Sequence, residues 1–155
     1  MEKIKKLKKL FNNLNIDGYL IPKNDEFFSE YINKNNDYLR YISEFSGSYG
    51  FALVLKKKNY LFVDGRYTLQ AKMQSAKKFK VLTVPEVLPF DILRKKNLKI
   101  GFDPKLHTEK NLHQLFRKTK AKLIPIQNNL INKIWNPKND HIKNEFFILK
   151  NSGSG

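Results

Sequence analysis

Residues 50–71 read GFALVLKKKNYLFVDGRYTLQA. Two apolar runs rich in β-branched and aromatic residues, FALVL and NYLFVD, are separated only by lysines, which predicts a pair of strands joined as a hairpin or meander. The GRYTLQAKMQSAKK that follows has a helical pattern, with Tyr67, Leu69 and Ala71 near its start. A hairpin leading into a helix sets the rule for the rest of the chain.

Upstream, Ile4, Leu7, Leu10, Phe11 and Leu14 recur at three- and four-residue steps among lysines, the apolar stripe of an amphipathic helix packed on a sheet. DGYLIP is a short strand that Pro22 stops. Asp25 can cap a short helix over EFFSEYI, because its carboxylate satisfies unpaired backbone N–H groups, and NKNND is loop. Downstream, FKVLTV, LKIGF and AKLIPI are strands, alternating with helices over DILRKKN and TEKNLHQLFRKT. Parallel strands need crossover helices, so this alternation after an initial hairpin predicts an α/β fold with a mixed β-sheet flanked by helices. The domain is expected over residues 1–135, with NNLINKIW as a last short helix. Residues 136–155, ending in NSGSG, are expected to be a linker or the truncated start of a following domain with a flexible Gly/Ser tail.

Composition excludes several classes. The 155 residues include no cysteine, which removes disulfides, thiolate metal sites and a cysteine nucleophile. The basic N-terminus lacks the continuous apolar core of a signal peptide, and no run approaches the roughly 18 apolar residues of a membrane span. A soluble, cytoplasmic protein is expected. A formal charge of +16 attracts polyanions nonspecifically, while the excess of Lys, Asn and Ile fits a compositional bias that places Lys at permissive surface positions.

Two stretches invite a chemical reading. FSGSYG, residues 45–50, lacks the Gly-x-Ser-x-Gly spacing and strand-to-helix context of a nucleophile elbow, and it matches neither a Walker loop nor a dinucleotide fingerprint. It reads as a strand-entry turn, in which Gly47 and Gly50 take positive φ and Ser46 and Ser48 bond to nearby backbone. In VDGRYTLQA, Asp64 and Arg66 flank a glycine. Either the Arg fork clamps a substrate carboxylate, or Asp64 caps the following helix, Gly65 makes the turn and Arg66 pairs locally. His107, His113 and His141 form no zinc spacing, and Asp140, His141 and Glu145 are a weak terminal cluster. Aromatics interleaved with basic residues on the two strands permit a basic nucleic-acid-binding module as the alternative, although no RNA-recognition octapeptide occurs. A ribonuclease-H-like nuclease would need clustered carboxylates on adjacent strands, and the fourteen acids show no such set.

DEFFSEY (25–31), YLRYISEFSGSYG (38–50), DGRYTLQA (64–71) and NLINKIW (129–135), in this order, resemble the N-terminal creatinase-like domain of Xaa-Pro aminopeptidase, also called aminopeptidase P. The resemblance covers about residues 5–137. It implies a mixed sheet with ribonuclease-H-like layering and a non-catalytic role. In that metallopeptidase family the chemistry belongs to a C-terminal pita-bread domain with two divalent metals, typically manganese, whose ligand motifs do not occur in this chain. No catalytic residue, metal ligand or cofactor is therefore assigned here. The resemblance implies contributions to oligomer assembly and to the active-site rim, with a homodimer or a catalytic pita-bread domain as partner. The candidate rim or interface residues are Phe45, Ser46, Gly47, Ser48, Asp64, Arg66 and Tyr67. Departures from the family pattern are Glu44 at a usual Gly, which argues against a positive-φ turn there, Phe27 at a usual His, Tyr38 at a usual Arg, Tyr49 at a usual Ala, and NPK after Trp135 in place of Arg-Pro.

Overall fold

The computed structural model describes residues 2–24, 28, 32–94 and 96–135. Six strands form one mixed sheet: β1 (Gly18–Pro22), β2 (Phe51–Leu55), β3 (Asn59–Asp64), β4 (Lys80–Val84), β5 (Lys99–Phe102) and β6 (Lys122–Pro125), in the order β4-β3-β2-β1-β5-β6. β1, β2 and β3 are an antiparallel meander, with Gly18 opposite Leu55 and Phe51 opposite Phe62. The outer pairs, β3 with β4, β1 with β5, and β5 with β6, are parallel. The helices are α1 (Glu2–Leu14), α2 (Tyr38–Ser43), α3 (Thr68–Ser75), α4 (Pro89–Leu93), α5 (Glu109–Phe116) and α6 (Leu130–Ile134).

β1 and β2 are buried at every position because the sheet is covered on both faces. Strand side chains alternate faces, so each strand feeds two cores. Tyr19, Ile21, Ala52, Val54, Leu61 and Val63 point to one side, where α1 sends Ile4, Leu7 and Phe11, α2 sends Leu39 and Ile42, and α6 sends Leu130 and Ile131. Leu20, Leu53, Tyr60 and Phe62 point to the other, against Leu93 of α4 and Phe116 of α5. The lysines of α1 occupy the remaining turns of its surface, as the spacing of its apolar stripe predicts.

Every predicted strand forms. The helix expected from Gly65 begins as a tight 3-10 turn over Gly65–Tyr67, and α3 ends at Ser75. The helix expected over DILRKKN starts earlier, at Pro89, whose fixed φ suits the first turn, and it stops where Arg94 takes φ 32. The short helix expected after Asp25 and the tail from residue 136 lie outside the described residues, as do Phe27, Asp140, His141 and Glu145.

Two backbone expectations are corrected. No described glycine has positive φ, whereas Glu44 has φ 66 in the left-handed region. Glu44 is the C-cap of α2, and its N–H reaches the Arg40 carbonyl as the chain reverses out of the helix. The turn geometry thus persists without glycine. Gly47 and Gly50 are required for space instead: a Cβ on Gly47 would stand 2.3 Å from Phe45 Cζ, and one on Gly50 would stand 3.0 Å from the Phe62 carbonyl oxygen.

Candidate functional site

The FSGSYG loop and the DGRY turn lie side by side where β2 begins and β3 ends, since Phe51 is paired with Phe62. Phe45 is fully buried and anchors the loop, with its ring edge-to-face against Tyr67 at 6.0 Å between centroids. Gly47 folds over that ring. α3 grips the loop through two glutamines one turn apart: Gln70 Nε2 and Gln74 Nε2 donate to Ser46 Oγ at 3.0 and 2.9 Å, and Ser46 N–H donates to Gln74 Oε1 at 3.0 Å. The hydroxyls of Ser48 and Tyr67 are hydrogen-bonded to each other. All seven candidate residues are therefore brought into one neighbourhood. In the sequence, Gln70 and Gln74 carry no signal of this role beyond their i, i+4 spacing.

The electrostatics choose between the two readings of DGRY. Asp64 Oδ1 accepts from the Arg66 N–H at 2.9 Å, capping the 3-10 turn, and Arg66 Nη2 and Nε donate to the same carboxylate at 2.9 and 3.3 Å. That side-chain hydrogen bonding holds the Asp64 carboxyl below its usual range and raises the guanidinium of Arg66. The Arg66 fork is thus engaged by its own neighbour, with its cation also over the Tyr67 ring at 5.2 Å. Capping and local pairing are what the geometry contains, and a substrate carboxylate would have to displace Asp64.

No member of the cluster is an activated nucleophile. Ser46 Oγ accepts two amide donors, and the partner of Ser48 is a phenol rather than a base. Among the described residues no group of three or more His, Asp or Glu side chains is placed to hold a metal ion. What the arrangement provides is a stiff ledge. Ser48, Tyr49 and Arg66 are exposed on it, and the adjoining α3 displays Leu69 and Met73, 73% and 80% exposed, one helical turn apart. Large apolar side chains that exposed, next to a clamped polar loop, suit contact with another protein surface.

The sequence model of the creatinase/prolidase N-terminal domain matches residues 3–134. A probable Xaa-Pro aminopeptidase P of Coprinopsis cinerea is 34% identical over 138 residues, covering 83% of this chain and 22% of the relative. A probable Xaa-Pro aminopeptidase P of Laccaria bicolor is 32% identical over 143 residues, with 86% and 22% covered. The chain thus spans about 22% of the length of these curated relatives. Among solved structures, an X-prolyl aminopeptidase from Caenorhabditis elegans, described as a cytosolic enzyme with a di-nuclear active site, superposes with a TM-score of 0.77 at 29% identity, over 86% of this chain and 25% of that one. The N-terminal domain of the cytoplasmic peptidase PepQ from Mycobacterium tuberculosis has the same fold, with a TM-score of 0.66 at 24% identity, over 86% of this chain and 98% of that domain. The mixed-sheet fold expected from the strand pattern is the fold of these domains. The nucleic-acid alternative gains no support from these relatives.

Proposed function

The chain belongs to the creatinase/prolidase N-terminal domain family, and on that premise we propose that it is the non-catalytic N-terminal domain of an Xaa-Pro aminopeptidase-like metallopeptidase. The observation that carries this reading is coverage: the match takes up most of this chain but only 22% of the relatives' length. The di-nuclear metal chemistry that describes the C. elegans enzyme then belongs to a catalytic pita-bread domain outside residues 1–135. A cytoplasmic location follows the same relative. No described helix is long and apolar enough to cross a membrane.

In this reading Phe45, Ser46, Gly47, Ser48, Asp64, Arg66 and Tyr67 form the ledge that faces the catalytic domain or a second subunit, contributing to assembly and to the rim of the active site. The α3 residues Leu69 and Met73 extend that contact. Alone, the chain is expected to release no N-terminal residue from a fluorogenic Xaa-Pro peptide, with or without manganese. Mixed with a separately produced catalytic domain of a related enzyme, it should change the hydrolysis rate or co-migrate with that domain, and Leu69→Lys with Met73→Lys should abolish the effect while leaving thermal stability unchanged. Metal-dependent hydrolysis by the purified chain alone would overturn the non-catalytic assignment. Association insensitive to the α3 substitutions would overturn the ledge.

A further inference from the structure

α3 and the turn that continues it bury Ala71 and Ser75 on one side and expose Leu69, Met73 and Ala76 on the other. The spacing i, i+4, i+7 makes those three an apolar ridge, the element that one helix packs into the groove of another. Leu69 and Met73 are the most exposed large apolar side chains among the described residues. At 100° per residue, Lys72 and Lys77 fall on opposite flanks of the ridge. Both are exposed, and neither makes an ion pair among the described residues. α3 itself carries no carboxylate. At its two ends Asp64 is paired with Arg66 at 2.9 Å, and Glu44 with Lys78 at 3.6 Å.

This charge pattern selects the occupant. A symmetric dimer through α3 would bring the same patch against itself, so it must be self-complementary. Here lysine would face lysine, with no free carboxylate on the helix to answer it. We propose that the α3 ridge docks an amphipathic helix whose apolar stripe is flanked by carboxylates, so that Leu69 and Met73 enter the stripe while Lys72 and Lys77 pair with acids on its two sides. The ridge is about 10 Å long, from a rise of 1.5 Å per residue. That is far short of the roughly 800 Å² that each partner of a free-standing interface buries, so such a contact suits a domain held at high local concentration. The inference rests on the accessory-domain reading and deepens it: the surface that α3 meets is an acid-flanked helix of the catalytic domain rather than a second copy of this chain.

The test uses two hydrocarbon-stapled helical peptides with the same leucine stripe, one flanked by glutamates and the other by lysines, titrated into the ¹⁵N-labelled chain and followed by NMR. The expected result is saturable shifts along α3 with the glutamate peptide, at a dissociation constant of about millimolar order. The lysine peptide should bind about tenfold more weakly or not at all. Lys72→Glu with Lys77→Glu should invert that preference. Lys57→Glu with Lys58→Glu, on the exposed β2–β3 turn, changes the net charge equally and should leave the preference in place. An equal loss in both double variants would overturn the proposal, since the peptide would then be sensing net charge alone. Binding of both peptides alike, or of neither, would overturn it as well. Concentration-dependent shifts along α3 without peptide would assign the face to a second copy instead. Peptidase activity of the chain alone, which would overturn the accessory-domain reading, alters none of these readouts, so the two failures are distinguishable.

Discussion

Gly47 and Gly65 show how differently one residue type can be constrained. A methyl group on Gly47 meets Phe45 at 2.3 Å and Tyr67 at 3.0 Å, and the Phe45 ring is fully buried and has nowhere to retreat. Gly47→Ala should cost about 1–3 kcal/mol in urea denaturation, the usual penalty of overpacking. Gly65 has open space around its Cβ position and no positive φ, so Gly65→Ala should be neutral or stabilise by up to about 1 kcal/mol through the unfolded chain. His107 provides a pH test. Burial lowers its pKa from the ordinary value of 6.5, against the raising effects of its Asn111 hydrogen bond and of Asp103. The folded state then binds fewer protons than the unfolded state between the two values, so stability is complete above about 6.5 and falls as the pH drops toward the folded value. The urea midpoint of the native chain should decline over that window, and that of His107→Phe should decline less.

α3 unites the loop with the sheet. Its buried side carries Ala71 and Ser75, with Ser75 Oγ donating to the Ser43 carbonyl at 2.7 Å, while Gln70 and Gln74 hold Ser46 and Thr68 meets Thr83 of β4. The helix has only a weakly apolar face, so much of its placement comes from these polar ties rather than from a hydrophobic stripe. Gln74→Ala removes both the acceptor for the Ser46 N–H and a donor to Ser46 Oγ. It should cost about 1 kcal/mol and accelerate hydrogen exchange at Ser46 selectively, with the β2 and β3 amides unaffected. Uniform acceleration throughout the sheet would mean that α3 is instead integral to the global unfolding unit. At the other end of the same face, Trp135 stacks on Tyr41 with centroids 4.5 Å apart, closing α6 against α2 just where the described residues stop.

At the scale of the whole molecule, a charge of +16 on 155 residues opposes compaction. Among the described residues the ion pairs are few, and three of the four have a partner at least half exposed. Added salt should therefore raise the melting temperature by screening repulsion, and a fall would show that surface pairing dominates. The meander was legible because FALVL and NYLFVD are apolar at adjacent positions and separated only by a turn. The outer strands were legible because helical patterns stand between them. The ledge was legible only as neighbouring motifs: local spacing gave Asp64 its cap and Arg66 its partner, yet 24 and 28 residues separate Ser46 from Gln70 and Gln74. Glu44 shows the limit most directly, since sequence preference spoke against positive φ there and the reversal out of α2 imposed it. The sequence by itself determined the alternation of strands and helices and the family, because both are written in local periodicity and short motifs. Only the tertiary structure decided the strand order, the burial of His107 and the steric reason for Gly47, because each depends on atoms brought together across the sheet.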